Sequence, residues 1–126
     1  MKHKKLKTIS LDEIPEIKHD KTRADKIIVL NDRAVIIEEK EKADMHCINQ
    51  LEATINMIKE GKLSKYINNP KKLYCIIHYT KKIDQALTKA LPLKQREFHK
   101  KHKAPLAKAS CNHAVNEYIE KTINKT

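Results

Sequence analysis

The sequence contains very little glycine and few aromatic side chains. Of its 126 residues, one is glycine, one is phenylalanine, four are tyrosine and none is tryptophan. A single glycine excludes the GxGxxG and GxxxxGK(S/T) loops, whose backbone amides cradle nucleotide phosphates. The shortage of aromatic rings also argues against a platform for single-stranded nucleic acid, because such platforms stack successive bases on aromatic side chains.

Long apolar runs are missing as well. No run approaches the roughly 18 residues of a membrane-spanning helix. The first ten residues, MKHKKLKTIS, carry charge without the apolar segment of a signal peptide. We therefore expect an intracellular, cytoplasmic protein with no membrane partner, in which Cys47, Cys75 and Cys111 are reduced thiols. The length predicts one domain over residues 1–126.

The net charge of +11 is confined to one half of the chain. Residues 1–60 contain 12 basic residues (Lys or Arg) and 12 acidic residues (Asp or Glu). Residues 61–126 contain 15 basic and 4 acidic residues. Such asymmetry favours a polyanionic partner, and nucleic acid is the first candidate because Lys and Arg neutralise its phosphates. The alternative is a Lys-rich solubilising surface.

Hydrophobic patterning in the first part of the chain predicts a loose basic tail over residues 1–9 and then a β-hairpin. The hairpin strands are Lys26–Leu30 and Ala34–Lys40, joined by a turn at Asn31-Asp32-Arg33. Apolar residues then recur at helical spacing over residues 45–60. Asp44 is suited to begin this helix, and Gly61 to end it.

The second part of the chain predicts one more strand and two helices. After a turn at Asn68-Asn69-Pro70, Leu73–Thr80 is apolar on both faces, as a central strand would be. A short helix over Ile83–Leu91 should end near Pro92, and the last helix should cover Ala104–Ile123. Residues 81–126 are thus a basic, helical C-terminal part.

This order of elements predicts an α/β fold with a small mixed β-sheet flanked by helices. The helix between the second and third strands is long enough for a right-handed crossover. Those two strands should therefore be parallel.

Charged residues at the hairpin form the one pattern that suggests chemistry. Asp25 precedes the first strand, and Glu38 and Lys40 end the second. Because positions two apart on a strand share a face, Glu38 and Lys40 should point the same way, with Asp25 able to join them. Neighbouring carboxylates favour a shared cation, and hard oxygen ligands suit Mg²⁺ or Mn²⁺. The alternative is a solvated charge run where the strand leaves the core.

With Gln50 on the following helix, these residues resemble the PD-(D/E)xK nuclease superfamily. The likeness consists of Asp25, strand–turn–strand, Glu38-x-Lys40, a helix bearing Gln50 and an apolar strand, over about residues 24–80. It is most similar to small archaeal or viral members, including Holliday-junction resolvase-like and exonuclease-like branches. The resemblance implies a restriction-endonuclease-like core, Asp25 and Glu38 as metal ligands, Lys40 as the catalytic lysine and Gln50 as a supporting residue.

Two features depart from the family pattern. The middle residue of the ExK motif is usually apolar, whereas here it is Glu39. Either the strand ends there, or the register differs and Glu39 is the metal ligand. The N-terminal helix that often supplies another carboxylate is short, and Glu13, Glu16 or Asp20 could take that role.

Basic residues near the C-terminal end of the chain are candidates for nucleic-acid contact. They are Lys94, Arg96, Lys100, Lys101, Lys103 and Lys108. The leading hypothesis is a metal-dependent nuclease that hydrolyses phosphodiester bonds in duplex or branched DNA. Small members of the class often act as symmetric dimers, so a homodimer is possible. The alternatives are a non-enzymatic, basic nucleic-acid-binding protein and a small viral or archaeal adaptor without catalysis.

Overall fold

The computed structural model describes residues 7–17, 19–20, 22–30, 32–68 and 70–123. Within these ranges the chain forms five strands, three α-helices and a short 3₁₀ turn at Leu11–Glu13. The strands are β1 (Lys7–Ser10), β2 (Lys26–Leu30), β3 (Arg33–Ala43), β4 (Lys72–Ile83) and β5 (Leu106–Ala109). The α-helices are α1 (His46–Lys59), α2 (Gln85–His102) and α3 (Asn112–Ile123).

The strands form one mixed sheet in the order β1-β2-β3-β4-β5. The pairs β1–β2 and β2–β3 are antiparallel, whereas β3–β4 and β4–β5 are parallel. Parallel neighbours need a crossover connection, and α1 and α2 provide the two that this sheet requires. The predicted α/β fold, the hairpin and the parallel pairing are therefore confirmed.

Helices cover both faces of the sheet. On one face, Ala34, Ile36, Cys75 and Ile77 pack in a core that α1 and α2 complete. On the other face, alternate residues of the same two strands pack with Val115 and Ile119 of α3. The middle of the sheet is buried from both sides, which explains why β3 and β4 are apolar at successive positions.

The helix after β3 follows its sequence signals to within one residue, and its N-cap is Met45 in place of the predicted Asp44. Asp44 Oδ1 accepts a hydrogen bond from the His46 backbone amide at 3.0 Å, and α1 ends at Lys59. Gly61 has a φ of 79°, a left-handed conformation that glycine adopts without steric cost. Residue 31 of the first predicted turn and residue 69 of the second lie outside the described residues.

The prediction that a helix ends near Pro92 is wrong, because Pro92 lies inside the 18-residue α2. Proline removes one helical hydrogen bond. However, Leu87, Leu91 and Phe98 form a buried stripe that continues across it. Burial of this stripe outweighs the lost bond, since tertiary packing supplies most helical stability in proteins.

The predicted helix over Ala104–Ile123 is also wrong in its first part. Leu106–Ala109 instead forms β5, which pairs with Cys75–His78 of β4. The Cys75 backbone amide donates to Pro105 O at 2.9 Å at the start of this pairing. The free edge of β4 imposes the extended conformation on a segment whose residues have little strand preference of their own. The C-terminal part of the chain is consequently not helical throughout.

The predicted loose tail over residues 1–9 is wrong for its described portion. Lys7–Ser10 forms β1, which pairs with Lys26–Val29 and covers the edge of β2. Residues 1–6 of that prediction lie outside the described residues. Within the described ranges, no helix has both the length and the apolar character needed to cross a membrane.

The three cysteines are all free thiols and differ in accessibility. Cys47 and Cys75 are buried, and Cys111 is exposed just before α3. Burial raises the pKa of the Cys75 thiol well above its ordinary value.

Candidate functional site

Asp25 and Glu38 meet on the face of the sheet that α1 covers. Glu38 shares this face with Ala34 and Ile36 of β3, and its side chain is 1% exposed. Asp25 lies opposite Glu38, just before β2. The Asp25 backbone amide fixes this position by donating to Ile37 O at 3.1 Å. The structure therefore brings together the two carboxyl groups that the resemblance implies as metal ligands.

Burial and the contact with Asp25 make Glu38 difficult to ionise. Burial, followed by the charge of Asp25 and a side-chain hydrogen bond with it, raises the pKa of Glu38 to about 8. The positive charges of Lys40 and Arg23 oppose this rise without cancelling it. Lys40 Nζ lies 3.9 Å from Glu38 Oε2, so the predicted lysine is present at the site.

Gln50 reaches the same site from the first half of α1. Its side chain is 7% exposed, and its Nε2 donates to Arg23 O at 3.4 Å. Gln50 Oε1 and Glu38 Oε1 are both buried and have no hydrogen-bond partner among the described residues. Buried polar atoms are nearly always partnered in proteins, so two such oxygens in one site suggest a ligand.

Two further residues, which the sequence analysis missed, fix the segment that carries Asp25. Thr54 Oγ1 accepts a hydrogen bond from the Ala24 amide at 2.7 Å and donates to Gln50 O at 2.9 Å. The Arg23 guanidinium donates to Ile17 O at 3.3 Å and pairs with Asp12. The four-residue spacing from Gln50 is a sequence signal for Thr54, because such residues share a helix face. No comparable signal identifies Arg23.

Glu39, the alternative ligand, points to the opposite face of the sheet. Its Oε2 lies 3.2 Å from Lys26 Nζ and 3.5 Å from the Nδ1 of His78. Only its backbone contributes to the acidic site, where the Glu39 amide donates to Asp25 Oδ2 at 2.6 Å. The structure thus does not bring the Glu39 carboxylate together with those of Asp25 and Glu38.

The N-terminal carboxylates also have partners away from the site. Glu16 accepts a hydrogen bond from the Tyr66 hydroxyl at 3.0 Å, and Asp20 accepts one from the Thr22 amide at 2.9 Å. Glu13 is exposed. None of the three has a hydrogen bond to Asp25 or Glu38 within the described part of the chain.

The predicted nucleic-acid-binding residues do not form one continuous surface. Lys94, Arg96, Lys100 and Lys101 lie on α2, and Lys103 follows it. Lys108 is instead on β5, beside a cavity of about 220 Å³ that α3 also lines. Helix α1 contributes to both regions: Gln50 contacts Arg23 O, two residues before Asp25, while Asn49 and Glu52 line a groove of about 640 Å³ against α2.

A second polar cluster, centred on the buried His102, joins α1 to the end of α2. His102 is 7% exposed, and its Nε2 lies 2.7 Å from Glu52 Oε2. Its Nδ1 lies 3.1 Å from Lys59 Nζ. Because an ammonium group can only donate, Nδ1 accepts from Lys59 and Nε2 donates to Glu52. The hydrogen bond from His102, together with Lys101 at 3.1 Å, lowers the pKa of Glu52.

The residues at the acidic site fit a hard divalent cation with open coordination positions. Among the described residues, no group of three or more His, Cys, Asp or Glu side chains could hold a metal ion. The site offers two carboxylates and an amide oxygen instead. Mg²⁺ is commonly bound by one or two carboxylates, with water and substrate phosphates completing its coordination.

Comparison of this chain with protein-family models, curated proteins and solved structures gives no match. The likeness to the PD-(D/E)xK superfamily, including its restriction-endonuclease-like core, therefore depends on the motif residues of the sequence.

Proposed function

We propose that the protein is a metal-dependent nuclease that hydrolyses DNA phosphodiester bonds, with its site at Asp25, Glu38, Lys40 and Gln50. The main support is the contact between the buried Glu38 carboxyl group and the half-buried Asp25 carboxyl group, near the unpartnered Gln50 oxygen. Ionisation of a buried carboxyl group beside a second carboxylate is unfavourable without a proton or a cation. A divalent cation would allow both to ionise at neutral pH.

Each residue then has a distinct role. Asp25 and Glu38 would hold Mg²⁺ or Mn²⁺, and the Gln50 oxygen would accept a hydrogen bond from a bound water or complete the ligand set. The ion would supply polarisation of the phosphate and activation of the attacking water. The Lys40 ammonium, 3.9 Å from Glu38, would stabilise negative charge that develops on the phosphate oxygens.

Cleavage assays on linear, nicked, flapped and four-way-junction DNA test this proposal, with Mg²⁺, Mn²⁺ or EDTA present. We expect activity with either metal and none with EDTA. Because each substitution removes a group that contacts the metal or the reacting phosphate, Asp25→Asn, Glu38→Gln and Lys40→Ala should each reduce the rate at least about hundredfold. DNA affinity in EDTA should change little.

The matched control for these variants is Glu41→Gln on the same strand. Glu41 is exposed and pairs with Lys81 at the surface, so its loss should leave cleavage unchanged. Glu39→Gln decides between the two registers, and we expect it to retain activity because its carboxylate faces away from Asp25. Metal-dependent cleavage that persists in all three site variants would contradict the nuclease proposal.

A second candidate function, non-enzymatic nucleic-acid binding, is favoured by the separation of the basic residues from the acidic site. The basic side chains of α2 lie beyond α1 and do not depend on Asp25 or Glu38. This function predicts salt-sensitive DNA binding that EDTA does not alter, without cleavage of any substrate. The absence of binding even at low salt would favour the adaptor instead.

A further inference from the structure

A concave site lies at the C-terminal end of α1, away from Gln50 and the acidic site. It has a volume of about 360 Å³ and is formed where the C-terminal ends of α1 and α2 meet the start of β4. Four of its lining residues are lysines, and none of the lining residues is acidic. We call it the lysine pocket; its lysines are Lys59, Lys71, Lys101 and Lys103.

The positive charge of the lysine pocket is only partly compensated. Lys101 pairs with Glu52 at 3.1 Å, whereas Lys59, Lys71 and Lys103 form no ion pair with a described carboxylate. The C-terminal ends of α1 and α2 each contribute the equivalent of about half a negative charge. The four lysines carry four positive charges, and Glu52 and the two helix ends together supply about two negative charges. Roughly two positive charges are therefore left without a counter-charge.

A hydrogen bond to the buried His102 holds one of these ammonium groups in place. His102 Nδ1 accepts a hydrogen bond from Lys59 Nζ at 3.1 Å, and Glu52 holds the other side of the imidazole ring. An ammonium group has three donors, so Lys59 keeps two for a ligand. Ile58 and Leu73 supply apolar walls, which strengthen electrostatic attraction by reducing the local dielectric.

We propose that the lysine pocket binds a phosphate group, either in a nucleic-acid backbone or in a small phosphorylated molecule. A tetrahedral anion that accepts several hydrogen bonds matches a pocket with several lysine donors and uncompensated positive charge. Lys101 and Lys103 belong to the basic residues predicted from the sequence, whereas Lys59 and Lys71 lie outside that segment. The pocket therefore extends the predicted basic region with two lysines that only the fold brings to it.

The position of the lysine pocket favours the nucleic-acid backbone as the source of the phosphate. Gln50 and Lys59 are nine residues apart on α1, or about 14 Å along its axis. Ile77, which pairs with Glu38, is four residues from Leu73, or about 13 Å along β4. A duplex advances about 3.4 Å per base pair, so one bound at both sites would span about four base pairs between them. This point, unlike the pocket itself, rests on the proposed nuclease function.

The test is DNA binding by the full chain in EDTA, which separates binding from cleavage. The pocket variant is Lys59→Gln with Lys71→Gln, and its matched control is Lys89→Gln with Lys121→Gln. Both double variants lose two positive charges, and the control positions are exposed residues elsewhere on α2 and on α3. We expect about tenfold weaker duplex binding for the pocket variant, and a salt-dependence slope reduced by about one. The control should change less than about threefold.

Inorganic phosphate distinguishes the two sources. Titration into the wild-type protein should shift the NMR resonances of the His102 ring, and the pocket variant should lose this shift. Phosphate shifts with unchanged duplex affinity would assign the pocket to small phosphorylated molecules. Equal duplex affinities for the two double variants, combined with no phosphate shift in the wild type, would overturn the proposal. Circular dichroism checks that both variants are folded.

These outcomes are independent of the nuclease proposal. Loss of duplex affinity in the pocket variant, with no cleavage by the wild type under any metal condition, would support the lysine pocket and contradict the nuclease. Metal-dependent cleavage by the wild type, with no change in duplex affinity in the pocket variant and no phosphate shift, would support the nuclease and contradict the lysine pocket.

Discussion

Helix α1 contributes to two polar clusters that differ in how well their buried atoms are partnered. In the acidic site, Glu38 Oε1 and Gln50 Oε1 are buried and have no partner among the described residues. In the other cluster, Glu52, His102 and Lys59 form a chain in which both imidazole nitrogens are hydrogen-bonded. The fold alone explains the buried imidazole of His102, because both of its nitrogens are partnered, whereas the unpartnered buried oxygens point to a ligand.

The two clusters also respond to pH in opposite directions. The pKa of Glu38 is raised, so the folded state binds a proton there that the unfolded state releases above about pH 4.5. Stability from this group is therefore lost as the pH rises towards 8. The pKa of Glu52 is lowered by its contacts with His102 and Lys101. Stability from that group is present above its ordinary pKa and is lost as the pH falls.

The largest effect that would test this comparison is expected for Glu38→Gln in the absence of metal. The unfolding free energy of the wild type should fall by up to about 4 kcal/mol between pH 4.5 and 8, because the buried carboxyl group must ionise. The glutamine variant cannot ionise, so this part of the slope should disappear and the variant should be more stable than the wild type above pH 8. Urea unfolding followed by circular dichroism measures both proteins.

Addition of Mg²⁺ provides the complementary measurement. The ion should stabilise the wild type above neutral pH and have less effect on Glu38→Gln, since binding to the folded state raises stability by mass action. Identical pH profiles for the two proteins would show that Glu38 does not titrate as its surroundings imply.

A smaller effect is expected when the partnered cluster is broken by His102→Ala. Glu52 and Lys59 each lose a hydrogen bond, and the edge contact with Phe98 is lost as well. We expect a loss of about 1–3 kcal/mol at neutral pH, measured by urea unfolding. The matched control is His99→Ala, at an exposed position one turn earlier on α2, which should stay within about 0.5 kcal/mol of the wild type. Equal losses for the two variants would mean that the cluster adds no stability.

The smallest change in stability is expected for Gln50→Leu. This variant removes an unpartnered oxygen and also a 3.4 Å hydrogen bond to Arg23 O, so the net change should stay within about 1 kcal/mol. Its stabilisation by Mg²⁺ should nevertheless be weaker than that of the wild type. The matched control is Gln95→Leu on α2, which removes a 2.8 Å hydrogen bond to Leu106 O of β5 and should keep the full metal response. A full response in Gln50→Leu would place that oxygen outside the metal site.

Local patterns in the sequence predicted the parts of the fold and site that depend on neighbouring residues. The two-residue period placed Glu38 and Lys40 on one face of β3, and the helical period placed Gln50 on the helix that covers it. Asp25 could be placed opposite Glu38 because a short hairpin fixes the pairing of its strands.

Features determined by distant contacts could not be predicted in this way. Leu106–Ala109 is extended because the edge of β4 is available, and α2 continues past Pro92 because Phe98 is buried further along. Arg23 belongs to the site through contacts with Ile17 and Asp12, which no local spacing signals. Long-range packing therefore decided the elements and residues that the sequence analysis missed.

The distribution of the three thiols gives the molecule a natural attachment point for a probe. Cys47 and Cys75 are shielded by the core, whereas Cys111 is open to solvent beside the helix on the opposite face from α1 and α2. A thiol-reactive label should therefore modify one position without prior removal of the other cysteines. A fluorophore or spin label there would report on tumbling and assembly from the side of the sheet away from both the acidic site and the lysine pocket.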